Sequence, residues 1–224
     1  MAIAKTAAGL ILAGAMAASG AEFFVRHEHL RKGCDGVMIA DENGVRFRGQ
    51  KAHSWAWTYD DIQELKLEPG RITILTYRDR KLWLGADQAY TFTGKLPVEE
   101  LEPLWKNRMD QRFVAALPGP KGDGFSLPVK HLRRISGSEG VLVFAPEVIA
   151  YSTPAEGDSR TWRYSDIDSI SSSGPFQLTI TTFERARSHY GDRKGFNFQL
   201  KQPIAEAMYN RLWMEIEKKN GRIQ

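Results

Sequence analysis

Apolar and polar residues alternate along most of this chain, and a period of two is typical of β-strands that bury one face. The alternation is clearest at residues 55–59, which read WAWTY. Asn43-Gly44 stands between two apolar runs and is a strong signal for a hairpin turn. In the first half of the chain the pattern predicts seven short strands, at residues 37–40, 45–48, 55–59, 62–67, 72–77, 82–84 and 89–93.

The period then changes to that of a helix. Val98, Leu101, Trp105 and Met109 follow one another at helical spacing, and Pro97 fits the first turn. We expect this helix to lay its tryptophan-bearing stripe over an open end of the curled sheet, because that end would otherwise expose apolar surface.

The second half repeats this plan, with a helix that opens at Pro203 and carries the matching Leu212-Trp213 pair. The predicted fold class is mainly β with C-terminal helices (α+β), in two curled seven-stranded sheets or barrels that are each capped by one helix. Six strands of the second half can be recognised, at residues 141–144, 148–152, 161–164, 167–171, 176–183 and 196–200.

An internal duplication explains this parallel. The pattern W-x-Y-x-D-I-x-x-[LI] occurs twice at an offset of 105 residues, and flanking residues match at 104 to 106. Each half is long enough for a core of its own, so we predict a domain at 34–113, a Pro/Gly-rich linker at 114–135 and a domain at 136–219. Residues 125–135 fit either domain. The repeated motif comprises Trp57, Tyr59, Asp61 and Ile62 in the first half and Trp162, Tyr164, Asp166 and Ile167 in the second.

The N-terminus has the pattern of a targeting segment. One cation, Lys5, precedes an uncharged stretch that ends in the small residues Ser19-Gly20-Ala21. This pattern predicts a signal peptide at 1–21 and an exported protein, periplasmic or extracellular. The alternative is an uncleaved N-terminal transmembrane helix that anchors the chain.

Composition and motifs argue against several functions. The chain has 224 residues and a net charge of +4, which is too weak a basic balance for a dedicated nucleic-acid binder. The one cysteine, Cys34, excludes an intramolecular disulfide framework. His27-x-His29 is the one close histidine pair, with no further ligand nearby in the sequence, so we predict no metal and no cofactor. The nucleophile, zinc and nucleotide motifs of common enzymes are missing, and we expect no catalytic activity.

The repeated W-x-Y-x-D-I strand, the aromatic-x-aromatic strand and the closing Leu-Trp helix resemble bacterial pleckstrin-homology-like (PH-like) domains, twice in this chain. The resemblance implies tandem PH-like domains that bind or scaffold rather than catalyse. Its lipid-binding members hold phosphoinositides with Lys and Arg of the first hairpin. Here that hairpin reads DENG at 41–44 and APE at 145–147, so we do not expect phosphoinositide binding by that route.

Basic clusters at a later hairpin of each half are the candidate binding sites. They predict a noncatalytic, exported or membrane-anchored module that contacts a protein or an anionic membrane surface. Solvated loops without a partner are the simpler interpretation of the same residues. The alternative function is a carrier of a small apolar ligand, which would use an aromatic-lined barrel mouth. The candidate residues are Arg78, Arg80 and Lys81 in the first half and Arg185, Arg187, Tyr190, Arg193 and Lys194 in the second.

Overall fold

The structure, a computed structural model, describes residues 20–29, 32–50, 53–80, 86–119, 124–133, 135–186 and 191–224. These residues form two curled β-sheets, each with one helix after its last long strand. The predicted fold class is therefore confirmed. Most of the predicted signal segment and the predicted strand at 82–84 lie outside the described residues. Among those that are described, no helix is long and apolar enough to cross a membrane.

The first sheet has eight strands in the spatial order β4-β3-β2-β1-β7-β6-β5-β8. All its pairs are antiparallel except β5 with β8. The strand β1 pairs along its whole length with β2 and by two residues with β7. It therefore lies between them and connects β2–β4 with β5–β7 in one curled sheet. The strands are β1 Ala21–His27, β2 Cys34–Asp41, β3 Gly44–Gly49, β4 Ser54–Thr58, β5 Ile62–Glu68, β6 Arg71–Asp79, β7 Asp87–Thr93 and β8 Phe113–Ala115.

The second sheet has seven antiparallel strands in the order β12-β11-β10-β9-β15-β14-β13. This is the order of β4-β3-β2-β1-β7-β6-β5 in the first sheet, so the duplication seen in the sequence is a duplication of topology. The strands are β9 Phe125–Leu132, β10 Gly137–Phe144, β11 Val148–Ser152, β12 Arg160–Arg163, β13 Ile167–Ser171, β14 Gln177–Arg185 and β15 Arg193–Leu200.

The predicted domain boundaries need correction at both starts. We placed the first domain from 34 and the second from 136, but β1 and β9 lie earlier and each pairs along a neighbouring strand of its sheet. The sequence of β1 alternates buried and exposed residues throughout, as a half-buried strand should. The connection between the halves therefore shrinks from 114–135 to the residues between β8 and β9.

The repeated motif has the same structural role in both halves. Trp57 and Trp162 are buried in the two cores. The hydroxyl of Tyr59 donates to the carbonyl of Asp41 at 2.6 Å, and the hydroxyl of Tyr164 donates to the carbonyl of Ala145 at the same distance. Each tyrosine thus connects the turn after β4 or β12 to the turn of the β2–β3 or β10–β11 hairpin.

The motif aspartates close the turn that follows each tryptophan strand. Asp61 accepts the backbone N–H of Thr58 at 2.9 Å, and Asp166 accepts that of Arg163 at 3.1 Å. A carboxylate that caps a tight turn satisfies N–H groups that would otherwise lack a partner. Both aspartates are therefore turn acceptors.

The two helices pack differently against their sheets. In α1 (Val98–Met109), Trp105 is fully buried. In α2 (Glu206–Lys219), which begins three residues after the predicted start, Leu212 is buried and Trp213 is 42% exposed. The helical spacing in the second half predicts a core stripe through Leu212 and Ile216, and both are buried, whereas Trp213 lies outside that stripe.

Candidate functional site

Arg185, the last residue of β14, joins the two halves of the molecule. Its backbone N–H donates to Oε2 of Glu64 at 3.1 Å, and its Nη1 lies 3.1 Å from Oδ2 of Asp87. The same guanidinium donates to the side chain of Gln63. All three partners belong to the first sheet, so Arg185, a predicted surface-binding residue, is a structural contact between the halves.

This contact brings the bases of the two basic hairpins together. Asp79 pairs with Asp87 at the base of the β6–β7 hairpin, and Arg185 pairs with Arg193 at the base of the β14–β15 hairpin. The ion pair from Arg185 to Asp87 links these two pairs directly. The two hairpins, one from each half, therefore start at adjoining points of the molecule.

The other described candidates of the second hairpin, Arg193 and Lys194, partly contact residues of their own half. Arg193 is exposed, and its guanidinium lies 5.0 Å from the ring centroid of Phe183 and donates to the carbonyl of that residue at 2.8 Å. Lys194 forms an ion pair with Glu184 at 3.1 Å. Burial lowers the pKa of Lys194, an effect that Glu184 opposes. The charge of Lys194 is therefore paired with Glu184, whereas the side chain of Arg193 is exposed to solvent.

In the first hairpin, Arg78 and Arg80 are both exposed at the end of β6. Arg78 is close enough to Asp61 to help lower the pKa of that carboxyl, although hydrogen bonds from Thr58 are the larger cause. The structure does not describe Lys81, Arg187 and Tyr190, the other three candidates. The described part of the candidate surface is therefore Arg78, Arg80 and Arg193.

A buried ion pair lies beneath this surface. Glu184 and Arg160 pair closely, and both side chains are at most one-tenth exposed. The Arg160 guanidinium also lies 4.9 Å from the ring centroid of Phe196. Burial would raise the pKa of Glu184, but Arg160 and Lys194 outweigh it and lower that pKa. The carboxylate is held ionised by two cations, which is the arrangement of a structural ion pair.

A cluster of possible metal ligands lies at the C-terminal end of β1. His27 ends β1, Cys34 begins β2, and the two are direct partners across the pair of strands. Nε2 of His29 lies 3.0 Å from Nδ1 of His27 and 3.2 Å from Sγ of Cys34. One ligand atom from each of the three lies within 4.8 Å of the others. The ring of His53 approaches from the start of β4, with its centroid 4.9 Å from that of His29.

We call His27, His29 and Cys34 the His-Cys cluster. The prediction of no metal site rests on the lack of a further ligand near the histidine pair in the sequence, but the structure places Cys34 beside that pair. Strand pairing brings Cys34 to the pair, which sequence spacing alone does not show. A signal existed in the repeat: His27 and Cys34 match His131 and Ser138 at the same offset of 104, which marks them as partners of one hairpin.

Aromatic side chains hold the inner histidine of the cluster in place. The ring of His27 lies 4.8 Å from that of Trp55 and 5.0 Å from that of Phe92, measured between centroids. Burial, together with the neighbouring His29 and His53, lowers the pKa of His27 to about 4. At neutral pH this ring is therefore uncharged.

Two cavities among the described residues give no support to an apolar-ligand carrier. Trp57 and Trp162, which would line its barrel mouth, are packed inside the cores. A cavity of about 220 Å³ lies beside α2, below the range of about 300–1,000 Å³ that is usual for ligand pockets. A space of about 20 Å³ between the halves is smaller still. The larger cavity is lined by the charged Arg211 and Glu215 beside Phe125, Phe144, Tyr164 and Met208.

Comparison with known proteins adds no family and no function. No protein-family model matches this chain, and no curated protein matches it. It is similar to a chain in the structure of the Spt16D Pob3N heterodimer at 11% identity and a TM-score of 0.33, covering 84% of this chain and 99% of that one. It is also similar to the C-terminal domain of an unknown protein from Leishmania infantum, at 13% identity and a TM-score of 0.28, covering 42% of this chain and 80% of that chain. Likenesses this distant carry no argument about what the chain binds.

Proposed function

We propose that this protein is a noncatalytic tandem PH-like binding module that contacts an anionic membrane surface through its two basic hairpins. The observation that carries the proposal is the ion pair between Arg185 and Asp87, which holds the bases of the two hairpins together. Two weakly basic loops on separate domains would act independently. Because they are joined at their bases, we propose that they present their cations to the same surface and that their contributions add.

The side chains at this edge suit a membrane interface. Arg78 and Arg193 are exposed and come from different halves. Tyr77, next to Arg78, is 56% exposed, and tyrosine is favoured where an apolar phase meets water. Each cation near an anionic membrane contributes about 1 kcal/mol of binding free energy. A few such cations give weak, reversible and salt-sensitive binding.

The noncatalytic part of the proposal is supported by how buried carboxylates are used. Glu184 pairs with Arg160, Asp41 pairs with Arg46, and Glu217 lies 3.2 Å from Arg222. The cations Arg160 and Lys194 lower the pKa of Glu184, and a carboxylate held ionised in this way is a poor proton donor at neutral pH. These groups stabilise the fold. We further propose that residues 1–21 export the chain or anchor it beside the membrane that the hairpins contact.

Sedimentation with lipid vesicles tests this function. We expect the full chain to bind vesicles that contain phosphatidylserine and not those of pure phosphatidylcholine. The double variant Arg78→Ala/Arg193→Ala should bind about 30-fold more weakly, because it loses two cations worth about 1 kcal/mol each.

The matched control is Arg71→Ala/Arg108→Ala, which removes the same charge from exposed arginines paired with Glu28 and Glu42. This control should bind as the unchanged protein does. Equal loss in both double variants would show a general charge effect and contradict the hairpin surface. No binding to phosphatidylserine vesicles would overturn the membrane proposal and leave an acidic protein as the partner to seek.

A further inference from the structure

The His-Cys cluster has the ligands that a late transition-metal ion prefers. Zn²⁺ binds imidazole nitrogen at about 2.0–2.1 Å and thiolate sulfur at about 2.3 Å. Around a tetrahedral ion these bonds place ligand atoms about 3.3–3.6 Å apart. The separations from Nε2 of His29, 3.0 Å to His27 and 3.2 Å to Cys34, are only slightly shorter. The third separation, between the ligand atoms of His27 and Cys34, is at most 4.8 Å, so small movements of all three side chains would bring the set to the spacing of a bound ion.

The local backbone holds the two inner ligands close together. His27 and Cys34 are opposite each other on β1 and β2, so their Cα positions are fixed by strand pairing. Gly33 precedes Cys34, and a Cβ atom at that position would lie 2.7 Å from the carbonyl oxygen of His27. Glycine therefore allows the chain to return this close to β1.

The second half of the molecule shows the same hairpin without the ligands. His131 is opposite Ser138 on β9 and β10, as His27 is opposite Cys34 on β1 and β2. Arg133 stands at the position equivalent to His29, at the same offset of 104. The duplicated fold thus retains the inner histidine in both halves but combines it with a thiol and a second imidazole in the first half alone.

The second half uses these positions for ordinary stabilising contacts. Ser138 bonds with the hydroxyl of Tyr151 at 2.9 Å, and Arg133 forms an ion pair with Asp158 at 2.9 Å. In the first half, Phe47 is the equivalent of Tyr151 and offers no hydroxyl. The fold itself therefore does not require a histidine and a cysteine here, and their presence in the first half calls for another explanation.

We propose that His27, His29 and Cys34 bind one divalent transition-metal ion of the Zn²⁺ type. Two imidazoles and a thiolate suit this borderline-soft class and not Mg²⁺ or Ca²⁺, which take oxygen ligands. On binding, the Cys34 thiol loses its proton to solvent and forms the sulfur–metal bond, with no change of oxidation state. The ring of His53 lies beside these ligands, with its centroid 4.9 Å from that of His29. The ion would fasten the start of β2 to the end of β1.

Cobalt titration of the full-length, reduced protein tests this site. Because Cys34 is the only cysteine in the sequence, a thiolate-to-cobalt charge-transfer band in the near ultraviolet can come from that residue alone. We expect the band to saturate at one Co²⁺ per chain and to disappear when one equivalent of Zn²⁺ is added. Cys34→Ser, which copies the residue of the second half, should abolish the band.

A second variant and a control separate the site from incidental binding. His29→Ala, at an exposed position, should weaken Co²⁺ binding at least tenfold while the apo protein keeps its circular dichroism spectrum. His131→Asn, which removes the equivalent histidine of the second half, should leave the band unchanged. Absence of the band in the unchanged protein, or an equal band in His29→Ala, would overturn the proposal. Neither result depends on vesicle binding, so this site and the proposed membrane contact fail independently.

Discussion

At the level of single residues, Arg160 and Glu184 form a buried ion pair that should tolerate substitution poorly. We expect Glu184→Gln to lower the free energy of unfolding by about 3–5 kcal/mol, because it leaves Arg160 buried without a countercharge. Denaturant unfolding at neutral pH measures this loss. Glu68→Gln, which breaks the more exposed pair with Lys66, should cost at most about 1 kcal/mol. Equal costs for the two variants would show that the buried pair has no special role.

The same scale shows which residues the sequence could assign. Trp57, Tyr59 and Asp61 could be interpreted as core and turn residues because their counterparts recur in one order at one offset. Arg185 could not be assigned, because its partners Gln63 and Asp87 lie in the other half. A basic residue in a hairpin looks the same in a sequence whether it faces water or a neighbouring domain.

At the level of elements, the N-terminal ends of β5 and β7 contact the C-terminal end of β14. We expect Arg185→Ala to uncouple the two halves, because it removes the Asp87 ion pair and the bond to Gln63. Calorimetry should then show two unfolding transitions in place of one, with a loss of about 1–3 kcal/mol. The control is Arg71→Ala, which breaks an exposed pair within the first half. A single unshifted transition in Arg185→Ala would contradict the role of this residue.

Besides the three-residue β8, two strands escaped prediction, for different physical reasons. The residues of β1 alternate correctly, but Ala21 also completes the small-residue pattern of a signal peptide, and that interpretation took precedence. In β9, Pro128 interrupts the apolar pattern, since proline removes a backbone donor and is unusual within a sheet. Both strands are the first of their sheets, and each also pairs with the last long strand of its half, a distant contact that local patterns do not report.

For the whole molecule, the duplication has kept the topology and changed the surfaces. Both halves share the order of seven strands, the buried tryptophan and the tyrosine that bonds back to the first hairpin. They differ in their surfaces. Trp105 is buried in the first half, whereas its counterpart Trp213 in the second is partly exposed. Within the described residues, the His-Cys cluster occurs in the first half only. The shared features maintain the fold, and the proposed metal site lies where the two halves differ.

Paramagnetic relaxation measured on the full chain, with a spin label on the lipid headgroups of anionic bicelles, tests the membrane proposal most directly. Because Arg185 joins the two hairpin bases, we predict that amide signals of both hairpins, around Arg78 and Arg193, broaden together and recover at high salt. Bicelles of phosphatidylcholine alone should leave them sharp. Broadening of one hairpin without the other, or of a different face of the molecule, would contradict a single surface built from both halves.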